Sequence, residues 1–136
     1  MDEPGPSHHL AVLIAAPIRA GESAMHNDMM AMSQTLQGRG FLADQILSLH
    51  GRLDRPQVVA FLQAASRRVA AWTQGSVFLH FTGHGFFQGE TAAEARPGLI
   101  FDGTADVADD YHLFWDDFFA ALALPAGVKL TLLPDL

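Results

Sequence analysis

Three short segments hold the side chains that could do chemistry. The first is Phe81-Thr82-Gly83-His84-Gly85, at the end of the apolar run from Ser76 to Phe81. Glycine on both sides of a histidine lets the backbone turn sharply and come close to a ligand. It also leaves the imidazole exposed at a strand end, where a proton shuttle is useful. The plainer alternative is a loop histidine between two turn glycines. The second segment is Pro134-Asp135-Leu136, after the apolar run Val128 to Leu133. An aspartate there can form a turn, cap a helix or serve as a functional carboxylate. The third is His26-Asn27-Asp28, ahead of a helical stripe. Asn-Asp in that setting is also an N-cap signature.

His80 stands four residues before His84. In one extended strand both would face the same way, which suggests a metal pair. A zinc site needs three or four ligands. His26, His50 and His112 could supply the rest, but their spacing matches no metal motif. No metal is expected, and His80 reads as a partly buried strand residue. The chain has no cysteine, so disulfides and thiolate metal sites are excluded. The glycine fingerprints of nucleotide-binding loops are missing after the first strand, where Ala15-Ala16-Pro17-Ile18 stands. A G-x-S-x-G elbow is missing as well.

Hydrophobic periodicity shows which elements must position these residues. Leu10 to Ile18 is continuously apolar and fits a strand buried on both faces. Met25, Met29, Met32 and Leu36 recur at helical spacing, closed by Gly38 and Gly40. Phe41 to Leu49 reads as a second strand. Asp54 before Arg55-Pro56 starts a helix whose stripe is Val58, Leu62, Ala65, Val69 and Trp72, with Gly75 at its end. Ser76 to Phe81 is the third strand. Phe86 to Arg96 reads as a surface loop. Leu99-Ile100-Phe101 is a short apolar run before the Asp102-Gly103 turn, and Asp106 to Asp110 is an acidic loop. Tyr111 to Leu124 carries Phe114, Phe118, Ala121 and Leu122 at helical spacing, and Val128 to Leu133 is a fourth strand. Strands alternating with helices imply an α/β fold with a mainly parallel sheet flanked by helices on both faces. In such sheets ligands sit beyond the carboxyl ends of the strands. His84 and Asp135 both fall there.

The 136 residues make one domain, with a short leader over residues 1–9 that includes His8 and His9, and a domain over 10–136. Fifteen acids against eight bases leave a net charge of −7. That argues against nucleic acid, whose binders usually carry a basic stripe. No apolar run approaches the roughly 18 residues that a membrane helix needs. The leader has no basic flank or apolar core of an export signal, and the expected location is cytoplasmic.

Taken together, these segments resemble the caspase-like cysteine peptidases, most of all the metacaspase and bacterial caspase-homologue branch. The resemblance covers Leu10 to Leu136. It rests on Asn27-Asp28 followed by a helix ending in Gly40-Phe41, on Phe81-Thr82-Gly83-His84-Gly85, and on the run from Leu122 to Asp135, similar to the family's strand that ends in Asp-x-Cys. Met25 and Ala24 depart from the pattern; the family often has Cys and Gly there. The resemblance implies a three-layer caspase-like fold, incomplete at its C-terminal side. It implies cysteine endopeptidase activity with His84 as the dyad histidine and the Gly85 N–H as an oxyanion donor. It places Asp28 and Asp135 in a pocket for Arg or Lys, with Thr82 at the position of the family's motif serine. The cysteine would fall directly after Leu136, about 50 residues beyond His84. This chain alone is therefore expected to be inactive, whether as a fragment, as one piece completed by a C-terminal polypeptide that carries the Cys, or as a pseudoprotease that acts as an interaction domain. A peptide or protein is the implied substrate. Many relatives respond to calcium, but Asp106, Asp109 and Asp110 form only an acidic loop, with no recognisable oxygen-ligand pattern.

Overall fold

The computed structural model describes residues 8–18, 22–103 and 109–136. Residues 1–7 of the expected leader and Asp106 of the acidic loop lie outside them. The elements run β1 (His9–Ala15), α1 (Ala24–Gly38), β2 (Ile46–His50), α2 (Arg55–Val69), β3 (Gly75–Thr82), β4 (His84–Gln88), β5 (Arg96–Ile100), β6 (His112–Phe114), α3 (Trp115–Ala121) and β7 (Val128–Asp135). The main sheet is parallel throughout, in the order β2-β1-β3-β7. A second, antiparallel sheet has the order β4-β5-β6.

The apolar run that forms β1 is divided by parity. Leu10, Val12 and Ile14 share a core with Val58, Leu62, Ala65 and Val69 of α2 and Phe118 of α3. Ala11, Leu13 and Ala15 pack instead with Met29 and Leu36 of α1. Successive side chains on a strand point to opposite faces, so a strand covered on both sides must be apolar at every position. The molecule is thus layered, with α1 on one face of the sheet and α2 and α3 on the other. Crossovers of one hand that run in opposite directions along a sheet require this arrangement. The chain leaves β1 toward β2 through α1, then returns past β1 to β3 through α2.

Local chemistry starts and stops these elements. Helix α1 ends in a Schellman motif. Phe41 N–H donates to the Leu36 carbonyl at 3.0 Å and Gly40 N–H to the Gln37 carbonyl at 3.1 Å. Gly40 takes φ +101°, open to glycine at little cost. Helix α2 starts with a capping box: Gln57 N–H donates to Asp54 Oδ1 at 2.9 Å, and Asp54 N–H to Gln57 Oε1 at 3.1 Å. Pro17 ends β1 early, because a proline has no N–H to continue the ladder.

Four expectations need correction. Strand β1 begins at His9, so that residue belongs to the sheet rather than to a leader. The second strand is only Ile46–His50, preceded by a 3-10 turn over Ala43–Gln45. Phe86 to Arg96 is not simply a loop: it contains most of β4 and the start of β5, with only the connection between them irregular. Two aromatics are too few to show a period of two, and pairing with the distant β5 makes the strand. Tyr111 to Leu124 is not one helix; His112–Phe114 is β6, and α3 begins at Trp115. Pairing with β5 holds Phe114 extended, and Asp116 and Asp117 then occupy the first helical turn, where the dipole favours acids.

Gly40→Ala should therefore cost about 1 kcal/mol, since alanine is strained at a left-handed φ. Urea denaturation should show a lower midpoint with an unchanged slope.

Candidate functional site

The direction of winding changes between β1 and β3, where one crossover leads to β2 and the others to β3 and β7. In doubly wound sheets ligands bind beyond the carboxyl ends of the strands at such a point. The parallel pairing of β1 with β3 runs from His9 opposite Ser76 to Ala15 opposite Thr82. One further bond, Ala16 N–H to the Thr82 carbonyl at 3.0 Å, carries the pairing to the rim. Gly83 N–H then donates to the Asp135 carbonyl at 3.0 Å on the other side. The chain leading into His84 is held from both neighbouring strands.

Gly83 is glycine because of a close approach. A Cβ there would lie 2.9 Å from the Phe81 ring and 3.0 Å from the Ala16 carbonyl oxygen. Neither Gly83 nor Gly85 has a positive φ among the described residues, so the expected sharp glycine turn is not what places His84. Strand β3 instead passes directly into β4, with His84 opposite Ile100 and Gly85 opposite Leu99. Because β3 ends at Thr82, His80 and His84 do not share one strand.

The His84 ring is about one-third exposed, and its Nε2 lies 3.2 Å from Oε2 of Glu22. The other Glu22 oxygen, Oε1, accepts from the Ile18 N–H at 2.8 Å. One carboxylate thus joins the segment after β1 to the histidine after β3. A carboxylate only accepts, so Nε2 carries the proton. In the neutral ring Nδ1 then offers its lone pair and can act as a base. Glu22 is a site residue that sequence reasoning missed. The signal was there: an acid after the first strand, in a fold that brings that loop beside the loop after the third.

A cleft of about 180 Å³ lies beside the histidine. Ala24, Met25, Asp28, Thr82, Gly83, His84, Asp135 and Leu136 line it. Four of the five residues singled out from sequence, Asp28, Thr82, His84 and Asp135, therefore meet at one place. The fifth, Gly85, borders it: a Cβ added there would lie 3.2 Å from Leu136 Cδ1. The cap and turn alternatives for the two acids are removed. Asp28 lies inside α1, whose N-cap is Ser23, and Pro134-Asp135 continues β7 rather than turning. Pro134 is tolerated because β7 is an edge strand, paired with β3 alone among the described residues. Thr82 is buried, whereas Asp28 and Asp135 are exposed. Water screens these acids, so each cationic contact is worth about 1 kcal/mol or less.

His80 is buried, with Nδ1 3.0 Å from the Leu133 carbonyl oxygen. The rings of His26 and His50 touch, and His112 packs on Phe86. Among the described residues no three His, Asp or Glu side chains gather around a point where a metal ion would sit. In the acidic loop, Arg55 donates to the Asp109 carbonyl at 3.2 Å and to Asp110 Oδ1 at 2.9 Å. No described helix is long and apolar enough to cross a membrane.

Glu22→Ala should release both of its partners. Nitrogen NMR should find neutral His84 as the Nε2–H tautomer in the unmodified chain and as a mixture in the variant. The Ile18 amide should exchange roughly tenfold faster. A dominant Nδ1–H tautomer in the unmodified chain would contradict the arrangement. Gly83→Ala should cost about 1–3 kcal/mol by overpacking, read as a fall in thermal midpoint.

No protein-family model matches the chain, and no curated protein is significantly similar to it.

Proposed function

We propose that this chain carries the histidine half of a caspase-like cysteine endopeptidase that cuts after Arg or Lys. The observation that carries the reading is the shared cleft: His84, Thr82, Asp28, Asp135 and Leu136 come from three separate segments and line one hollow. The thiol is supplied directly after Leu136 in a longer polypeptide, or by a complementary chain. The α/β layering and the parallel sheet suit that fold family, and a reducing cytoplasm suits a free thiol.

The chemistry follows from the roles. A cysteine thiolate attacks the scissile carbonyl carbon, and the carbonyl oxygen becomes an oxyanion held by backbone N–H groups, that of Gly85 among them. The imidazolium of His84 gives its proton to the leaving amine as the C–N bond breaks, which leaves a thioester. Water, deprotonated by the same imidazole, then releases the acid and restores the thiol. Glu22 keeps the ring oriented throughout. Asp28 and Asp135 attract a basic side chain, and Thr82 walls the hollow between them and His84. A peptide is the substrate; no nucleic acid, membrane or resident cofactor enters the scheme.

A second reading has its own observation. The outer edge of β7 is unpaired among the described residues, and Leu133 on it is 46% exposed. Such an edge attracts another strand, which suits a non-catalytic interaction domain built on the same fold.

One experiment separates the two. Produced with its natural continuation beyond Leu136, the protein should cleave a fluorogenic peptide ending in arginine. His84→Ala should lower kcat/KM by at least about 100-fold without changing thermal stability. Full activity in that variant would falsify the dyad, and a continuation without cysteine would leave the interaction domain.

A further inference from the structure

Strand β4 starts at His84 and lies at the edge of the second sheet, paired with β5 alone among the described residues. Which of its backbone groups face outward follows from one proline. Antiparallel neighbours alternate between pairs that exchange two backbone hydrogen bonds and pairs that exchange none. Phe87 stands opposite Pro97, which has no N–H to give, so that pair is of the second kind. Gly85, opposite Leu99, has the same parity. The N–H and C=O of Gly85 and Phe87 therefore point away from β5, over the free edge. Both residues are exposed, and among the described residues no backbone bond from outside the sheets reaches either one.

The two faces of β4 differ. Phe86 packs on His112 and Phe114, which anchors the strand without any ligand. Phe87, on the other face, is 71% exposed. Gly85 shares that face and borders Leu136. An edge with outward amides, an exposed aromatic ring and a start at the histidine is suited to an added strand.

We propose that the free edge of β4 holds the substrate chain on the far side of the cut. The placement rests on the Cys-His chemistry at His84 and adds what is recognised beyond the cut. His84 protonates the leaving amine, so the leaving fragment begins at His84, where β4 begins. The Gly85 N–H holds the scissile carbonyl oxygen. A chain that runs on from there parallel to β4 repeats its bonding every two residues. The second residue of the leaving fragment then donates its N–H to the Gly85 carbonyl and accepts at its own carbonyl from the Phe87 N–H. The third residue lies beside the Phe87 ring, on the same face. An apolar side chain there covers the ring, so the leaving fragment is selected for an apolar third residue.

The test uses the protein with its natural continuation and peptides that share one arginine at the cut. Their leaving fragments are alanine amide, Ala-Ala-Leu amide, Ala-Ala-Ser amide and the leucine fragment with lactate in place of its second alanine, which exchanges one N–H for an oxygen. The leucine fragment should raise kcat/KM at least about tenfold over alanine amide, the worth of two backbone bonds and some apolar contact. The lactate peptide should lose about fivefold, one hydrogen bond. Leucine should be preferred to serine about fivefold, and Phe87→Ser should bring that ratio within about twofold. A general folding defect lowers both rates together and leaves their ratio, so the ratio reports the ring. If the fluorogenic arginine peptide is cut but longer leaving fragments bring no gain, or the leucine preference survives in Phe87→Ser, the β4 track is wrong and the protease reading stands. If no arginine peptide is cut at all, the protease reading fails and the track fails with it.

Discussion

The parallel pairing of β1 with β3 is the constraint on which the rest depends. These two strands form the middle of the sheet and are covered on both faces, so every residue of β1 after His9 is buried. Such a strand has no polar face on which to slip, and a shift of one residue would exchange its two cores. The register that results sets Ala15 beside Thr82. Three of the groups around His84 are placed from that rung. Glu22 follows β1, His84 follows β3, and Asp135 sits across from Thr82 on the next strand. The rigidity of the site comes from the core beneath it rather than from the loops that display it.

Charge is distributed unevenly around this rim. On one side of His84 a single carboxylate makes two defined hydrogen bonds and fixes the ring. On the other, two exposed carboxylates, those of Asp28 and Asp135, make no side-chain hydrogen bond or ion pair among the described residues. Asp28 stands past the first turn of α1, where it caps nothing, and Asp135 ends an edge strand. Both line the hollow beside His84. The imidazole of His80 is buried. Its bond to Leu133 ties β3 to β7, and its other nitrogen has no hydrogen-bond partner among the described residues.

Much of the architecture could be read directly from residue patterns. The continuous apolar run of β1, the capping box at Asp54 and the Gly40-Phe41 close of α1 each have a local cause, so each is visible in a short stretch of sequence. The strands of the second sheet are different. Phe86 and Phe87 are too brief an apolar signal to announce β4, and Tyr111 to Phe114 continue a helical stripe on paper. They become strands because β5 lies between them and supplies hydrogen bonds from elsewhere in the chain. Local propensity loses to a tertiary partner in both cases.

The same division holds for the site. Residue types and strand-end positions were enough to single out His84 and Asp135, because a fold of alternating strands and helices gathers its strand ends on one rim; Thr82, Gly85 and Asp28 were singled out by the family resemblance alone. Sequence alone also established that no thiol resides in the chain, since composition needs no geometry. Only the folded molecule decided that Asp28 is not a cap and that Glu22 holds the histidine. It also decided that His80 is buried and bonded to the Leu133 carbonyl. Those facts depend on distances between groups up to 62 residues apart in sequence, and such distances exist only once the register of β1, β3 and β7 is set.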